Sequence, residues 1–280
     1  MLWIPVSFIL EFGFGQLFKW AQQRGCFLPA TLVTNYLTLA LLLFIYFNFT
    51  DQLDLDKKVI QVGSITGFVF IVAMLLMTKA LSLVRVGSVL TSFRMAMLIP
   101  IIFSVTIWGE TAVPLQMIGI GLSFISLILM TRGAAGSNKI GRFGQFALIL
   151  LVFFGQGASM TCLRWVRYAG LEDQLLQVIM VTGSVAGSLG VVYLALIQTK
   201  PSYNDIRTGA VIGTYNLFGL IVLLTALNHV SAAVFFPLMG CVVVALDNLA
   251  AHFYWRERLD RQAMIGVGLA LIAIDRKSVV

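Results

Sequence analysis

The sequence predicts an all-α integral membrane protein: ten transmembrane helices arranged as two inverted five-helix repeats. Three observations carry that expectation. The first is composition, 59% hydrophobic against 11% charged residues, where a soluble domain carries about 25% charged. With a mean hydropathy of +0.95, such a chain cannot cover its surface for water. The second is the recurrence of long uncharged runs, since about 20 apolar residues cross a hydrocarbon core roughly 30 Å thick. The third is an internal repeat. Trp108–Ile125 and Trp255–Ile272, set 147 positions apart, share 8 of 18 residues: Trp108/Trp255, Glu110/Glu257, Met117/Met264, Ile118/Ile265, Gly119/Gly266, Gly121/Gly268, Leu122/Leu269 and Ile125/Ile272.

Taken in order, the spans are expected near 2–22, 29–49, 59–79, 86–107 and 113–131 in the first half, then 143–163, 174–197, 205–227, 231–253 and 261–276. The N-terminus lacks the basic region of a cleavable signal and runs directly into span 1, which is read as retained. A Gly/Ser-rich linker at 133–142 divides a first five-helix repeat, 1–132, from a second, 143–280. The other connections are short, which makes successive helices antiparallel neighbours. Five spans per copy is an odd number, so the second copy enters the bilayer upside down, as inverted repeats do. Gly63/Gly67, Gly183/Gly187 and Gly209/Gly213 each place two small residues on one helix face, where backbones approach closely in lipid.

Several function classes are excluded. No soluble domain remains and no phosphate-binding Walker loop is present, which argues against ATP-driven chemistry by this chain alone. The net charge of +7 is read as basic residues at lipid headgroups, with no nucleic-acid partner. Cys26, Cys162 and Cys241 form an odd set without a CxxC pattern and are expected to act as small buried hydrophobes, with no metal and no cofactor. Orientation is contested. Alternate connections carry twelve Lys and Arg on the side of 19, 24, 79, 85, 132, 139, 142, 200, 207, 256, 258 and 261, against six at 57, 58, 164, 167, 276 and 277. Taken literally, that excess places both termini outside.

The segments Ala80–Ser88 (ALSLVRVGS), Trp108–Gly121, Ala226–Ala233 and Trp255–Gly268 resemble the drug/metabolite transporter superfamily, in its EamA-like ten-span form. Each motif alone is weak; the pair in register at five-span spacing is specific, and with the span count the likeness covers the whole chain. The resemblance implies cytoplasmic termini, against the charge count, and a central cavity lined by spans 1, 3, 4, 6, 8 and 9. It also implies residence in the plasma (inner) membrane. Two departures stand out: Pro100 and Pro237 are not at the family's usual proline spacing, and Arg256 replaces the glycine of the second Gly-Glu.

Of the twelve acidic residues only Glu11 and Asp247 fall well inside spans, and Arg94 is the basic residue near a span centre. An ionised side chain there costs about 2.5–3.5 kcal/mol on insertion scales, so each should face a partner or water. Arg94 is expected to hold a carboxylate or phosphate through its planar fork. Glu11 or Asp247 is expected to take a substrate ammonium group or a coupling proton. The competing reading is a helix-to-helix ion pair between Arg94 and Glu11 or Asp247. Gln156, Tyr215 and Asn216 are weaker candidates, polar groups in the middle of spans 6 and 8. Asn35 and Tyr36 are read as packing residues, and the five tryptophans as an interfacial belt.

The function expected is secondary active transport of a small polar or amphipathic metabolite or drug-like solute by alternating access. Proton or other ion coupling and a homodimeric state are compatible with it. The alternatives are an intramembrane lipid-modifying enzyme and a non-transporting scaffold. The acidic cluster Asp51, Asp54 and Asp56 lies beside Lys57 and Lys58 and reads as a solvated loop, so enzymatic activity is not expected.

Overall fold

The computed structural model describes residues 3–50, 53–84, 86–109 and 141–254, and within them every regular element is helical. They are α1 (Trp3–Gln23), α2 (Leu28–Thr50), α3 (Lys57–Leu83), α4 (Val86–Met95), α5 (Leu98–Thr106), α6 (Arg142–Tyr168), α7 (Leu175–Leu196), α8 (Tyr203–His229) and α9 (Ala232–Phe253), with a 3-10 turn at Glu172–Gln174 before α7. Five segments among the described residues are long and apolar enough to cross a bilayer: Leu28–Thr50, Lys57–Leu83, Phe143–Tyr168, Glu172–Leu196 and Tyr203–His229. At 1.5 Å per residue, such helices reach roughly 35–40 Å. The expected spans 113–131 and 261–276 lie outside the described residues, as do Glu110, Glu257 and nearly all of the repeated segment.

The helix ends follow from local chemistry. Gly25 (φ 73°) and Gly170 (φ 69°) take the left-handed conformation just past α1 and α6. There Cys26 N–H reaches Ala21 O and Leu171 N–H reaches Val166 O, closing both helices with Schellman motifs. Asp56 starts α3: its carboxylate accepts from Lys57 N–H at 2.6 Å, and its carbonyl accepts the first helical bond from Ile60. Asp54 and Asp56 are both exposed.

The chain divides into two compact units, residues 1–75 with 162–228 and residues 76–161 with 229–280. Each unit draws on both halves of the sequence. In the first unit α2 packs along α7 and α8, and glycines set the closeness of approach. A Cβ at Gly183 or Gly187 would overlap Leu39 or Leu37 of α2, and one at Gly209 or Gly213 would overlap Thr34 or the Asn35 carbonyl. Gly63 and Gly67 receive Val181 and the Thr182 carbonyl of α7 in the same way, and Thr182 Oγ1 donates to Gly63 O at 3.3 Å. All three glycine pairs are thus helix seams. Lipid tails supply no hydrophobic drive between helices, so these van der Waals contacts and interhelical hydrogen bonds carry the association.

One carboxylate ties two helix starts together. Ser202 and Asp205 form a reciprocal capping box on α8, with Asp205 N–H donating to Ser202 Oγ at 3.2 Å and Ser202 N–H to Asp205 Oδ2 at 2.8 Å. Asp205 Oδ1 also accepts from Phe27 N–H, at the mouth of α2, at 2.8 Å. With Asp205 4% exposed, the negative charge sits against the positive ends of both helices. Asp205→Ala strands two backbone donors and is expected to cost about 2–3 kcal/mol. A clear drop in melting temperature of the detergent-solubilised protein, with Asp205→Asn falling between variant and wild type, checks it.

Candidate functional site

The second unit contains a break in an apolar helical segment. The sequence reads as one span over 86–107, yet α4 stops at Met95 and α5 begins at Leu98. Between them, Met97 N–H reaches back to Arg94 O at 3.4 Å and Ile99 N–H to Ala96 O at 3.1 Å, three-residue bonds in place of four-residue ones. Pro100 causes this: it has no N–H for the Ala96 carbonyl four residues earlier, and its ring crowds that carbonyl. The neighbouring helices make room for the turn. A Cβ on Gly240 of α9 would meet Met97 Sδ at 2.7 Å, and one on Gly157 of α6 would overlap Ile99.

Arg94 closes α4 just before this break, in its last turn. Its Nη2 donates to Asp247 Oδ2 of α9 at 2.8 Å, with side chains 7% and 26% exposed respectively. Asp247, one of the two carboxylates the sequence offered as partners, is thus found on Arg94. Apolar groups surround the pair's helices: Val89, Ala96, Met97, Met239, Val243 and Ala245 are all buried, and the guanidinium carbon lies 5.7 Å from the centre of the Phe93 ring. Removing one member of such a pair leaves an uncompensated charge in a low dielectric. Ser92 Oγ donates to Ile149 O at 2.7 Å, fastening α4 to α6. Gln156, 6% exposed, lies on α6 between Val152, which packs in the cluster holding Val89, and Gly157. Arg94, Asp247 and Gln156 thus all belong to the second unit.

The remaining candidates belong to the first unit. The Tyr215 hydroxyl lies directly against Gly13 of α1 and within electrostatic range of Glu11. Asn216, the next residue, turns to α2, where its Nδ2 donates to Asn35 Oδ1 at 3.2 Å. Asn35 is fully buried, so this amide pair is a helix-to-helix bond.

Like Asp205, Arg164 is a buried charge that escaped the sequence reading. Arg164 was counted among the loop cations, but α6 runs on to Tyr168 and Arg164 is 1% exposed. Its Nη1 donates to Leu227 O near the end of α8, joined there by Arg167 Nη1 at 3.2 Å. Arg167 also pairs with Glu172 at 3.3 Å. Two cations on the negative end of one helix offset its terminal carbonyls. Trp165 of the same stretch packs against the Val59, Val62, Val166, Leu171 and Val178 cluster. Arg164 therefore carries no weight in the topological charge count. No signal in the local sequence separates it from Arg167.

These features define a multi-pass α-helical membrane protein, with a largely buried ion pair beside a broken apolar helix. Residues 1–132 match the EamA-like transporter family, so the resemblance read from the motifs is borne out over that stretch. A protein of Haemophilus influenzae described as "Uncharacterized protein" is 24% identical over 275 residues, covering 92% of this chain and 91% of its own. A solved structure titled "Crystal structure of protein" superimposes with a TM-score of 0.70 at 13% identity, over 96% of both chains, a likeness of fold.

The ion pair is testable by a double-mutant cycle. Asp247→Leu and Arg94→Met alone are each expected to cost about 3–5 kcal/mol, whereas the double variant, with apolar groups of similar volume, costs far less than their sum. Melting of the four proteins in detergent measures the coupling.

Proposed function

We propose that the protein is a secondary transporter that carries a small polar or amphipathic solute across the membrane by alternating access. In this reading ten helices form two inverted five-helix repeats, 1–132 and 143–280, in the plasma (inner) membrane of a bacterial-type cell. The match of residues 1–132 to a transporter family supports the class.

The observation that carries the reading is the Arg94–Asp247 pair beside the Ala96–Met97 break. Transporters build midplane sites from discontinuous helices, whose freed backbone groups and half-helix ends meet the solute where irregular backbone can be tolerated. A buried ion pair is a poor source of stability, since well-packed apolar residues would serve as well or better. Its presence in a segment with no other charge is best explained by use. Arg94 and Gln156 are the solute-binding groups, and Asp247 is the carboxylate that balances Arg94. Glu11, Tyr215 and Asn216 serve the first unit's packing and electrostatics, with Glu11 the one that also suits ion coupling.

Proteoliposome uptake tests this against a broad panel of amino acids, sugars, nucleosides, phosphates and amines. The wild-type protein is expected to accumulate at least one solute, and the Arg94→Met/Asp247→Leu double variant to lose uptake by about 100-fold or more while melting near the wild-type temperature. Full uptake by the double variant would make the pair a packing device.

A further inference from the structure

Resting on the carrier reading, we infer that the solute is an organic anion, and that Asp247 is an internal stand-in for its carboxylate or phosphate. The two members of the pair are unequal. Arg94 is the held member: it is on the short helix before the break, its side chain 7% exposed, and α4 is fastened to α6 by the Ser92–Ile149 bond. Asp247 comes from another helix and is the more open member at 26% exposure. A guanidinium stays charged at every physiological pH and binds carboxylate or phosphate oxygens through a planar set of donors. When an oxyanion reaches it from the open side, it meets the position now filled by Asp247 Oδ2 at 2.8 Å from Nη2.

Two anions on one guanidinium repel, so solute and Asp247 alternate. The solute's oxyanion takes the Arg94 donors and Asp247 turns toward the aqueous side; when the solute leaves, Asp247 returns. Arg94 is compensated in both states, and neither leaves a bare cation in an apolar surround. A cationic or neutral solute gains nothing from this arrangement.

The test uses the full-length protein in detergent with acetate and methylphosphonate as probes, and acetamide and methylammonium as uncharged and cationic counterparts. Asp247→Ala vacates the stand-in position, so both anions are expected to raise its melting temperature by several degrees. Half-saturation should come about tenfold lower than in wild type, where Asp247 competes. The counterparts should do nothing, and Arg94→Met/Asp247→Leu should respond to neither anion. An equal response to acetamide, or an equal anion response in the double variant, overturns the assignment.

Should Asp247→Ala fail to fold, uptake by wild-type proteoliposomes of labelled succinate, glycerol phosphate, putrescine and ribose decides it. Uptake of succinate or glycerol phosphate that acetate inhibits supports the anion. Uptake of putrescine or ribose indifferent to either anion overturns it and leaves the carrier reading standing. Anion stabilisation through Arg94 without uptake of any solute upholds the anion site and ends the carrier reading.

Discussion

A guanidinium placed among Val, Ala, Met and Phe side chains has to be neutralised wherever the chain moves, and that requirement organises the second unit. Arg94 meets it through Asp247. The partner is drawn from α9, which approaches because Gly240 leaves room for Met97. The broken helix is tolerated because Gly157 and Gly240 flank it and Ser92 anchors its first half. Each of these features would be a fault in a helix that merely spanned the bilayer. Together they place charge and irregular backbone at one position in the second unit.

The first unit solves a different problem. Its helices are joined by closeness, with α2 lying against the glycine faces of α7 and α8, and by polar bonds that have no better partner in hydrocarbon. Asp205 binds the starts of α2 and α8 from positions 178 residues apart, and Arg164 with Arg167 closes the far end of α8. One helix therefore has an anion at its positive end and cations at its negative end, both buried or half-buried. That arrangement makes α8 a fixed element against which others can be referenced.

Much of this was legible in the residues, and the parts that were not share a cause. Hydropathy placed α2 within a residue at each end, because a run from Leu28 to Thr50 without charge has no other reading. Arg94 and Asp247 stood out for the opposite reason: a charge inside such a run is costly enough to need a purpose. The glycine pairs read correctly as seams. What failed was pairing and local geometry. Nothing local tells that Asn216 donates to Asn35, or that Asp205 accepts from Phe27. Arg164 was misplaced because a five-residue helical extension turned a loop cation into a buried one. Pro100 was visible, but a proline can kink a helix or divide it, and only the neighbours decide which.

Alternating access requires that a hollow beside the α4–α5 break open to each side of the membrane in turn. The direct measurement is thiol labelling of Gln156→Cys in a chain lacking Cys26, Cys162 and Cys241, using a membrane-impermeant maleimide applied to right-side-out and inside-out vesicles. Alternating access predicts modification from both faces, slowed from both by a transported solute. Modification from neither face, in a protein that folds and melts as wild type does, would contradict it.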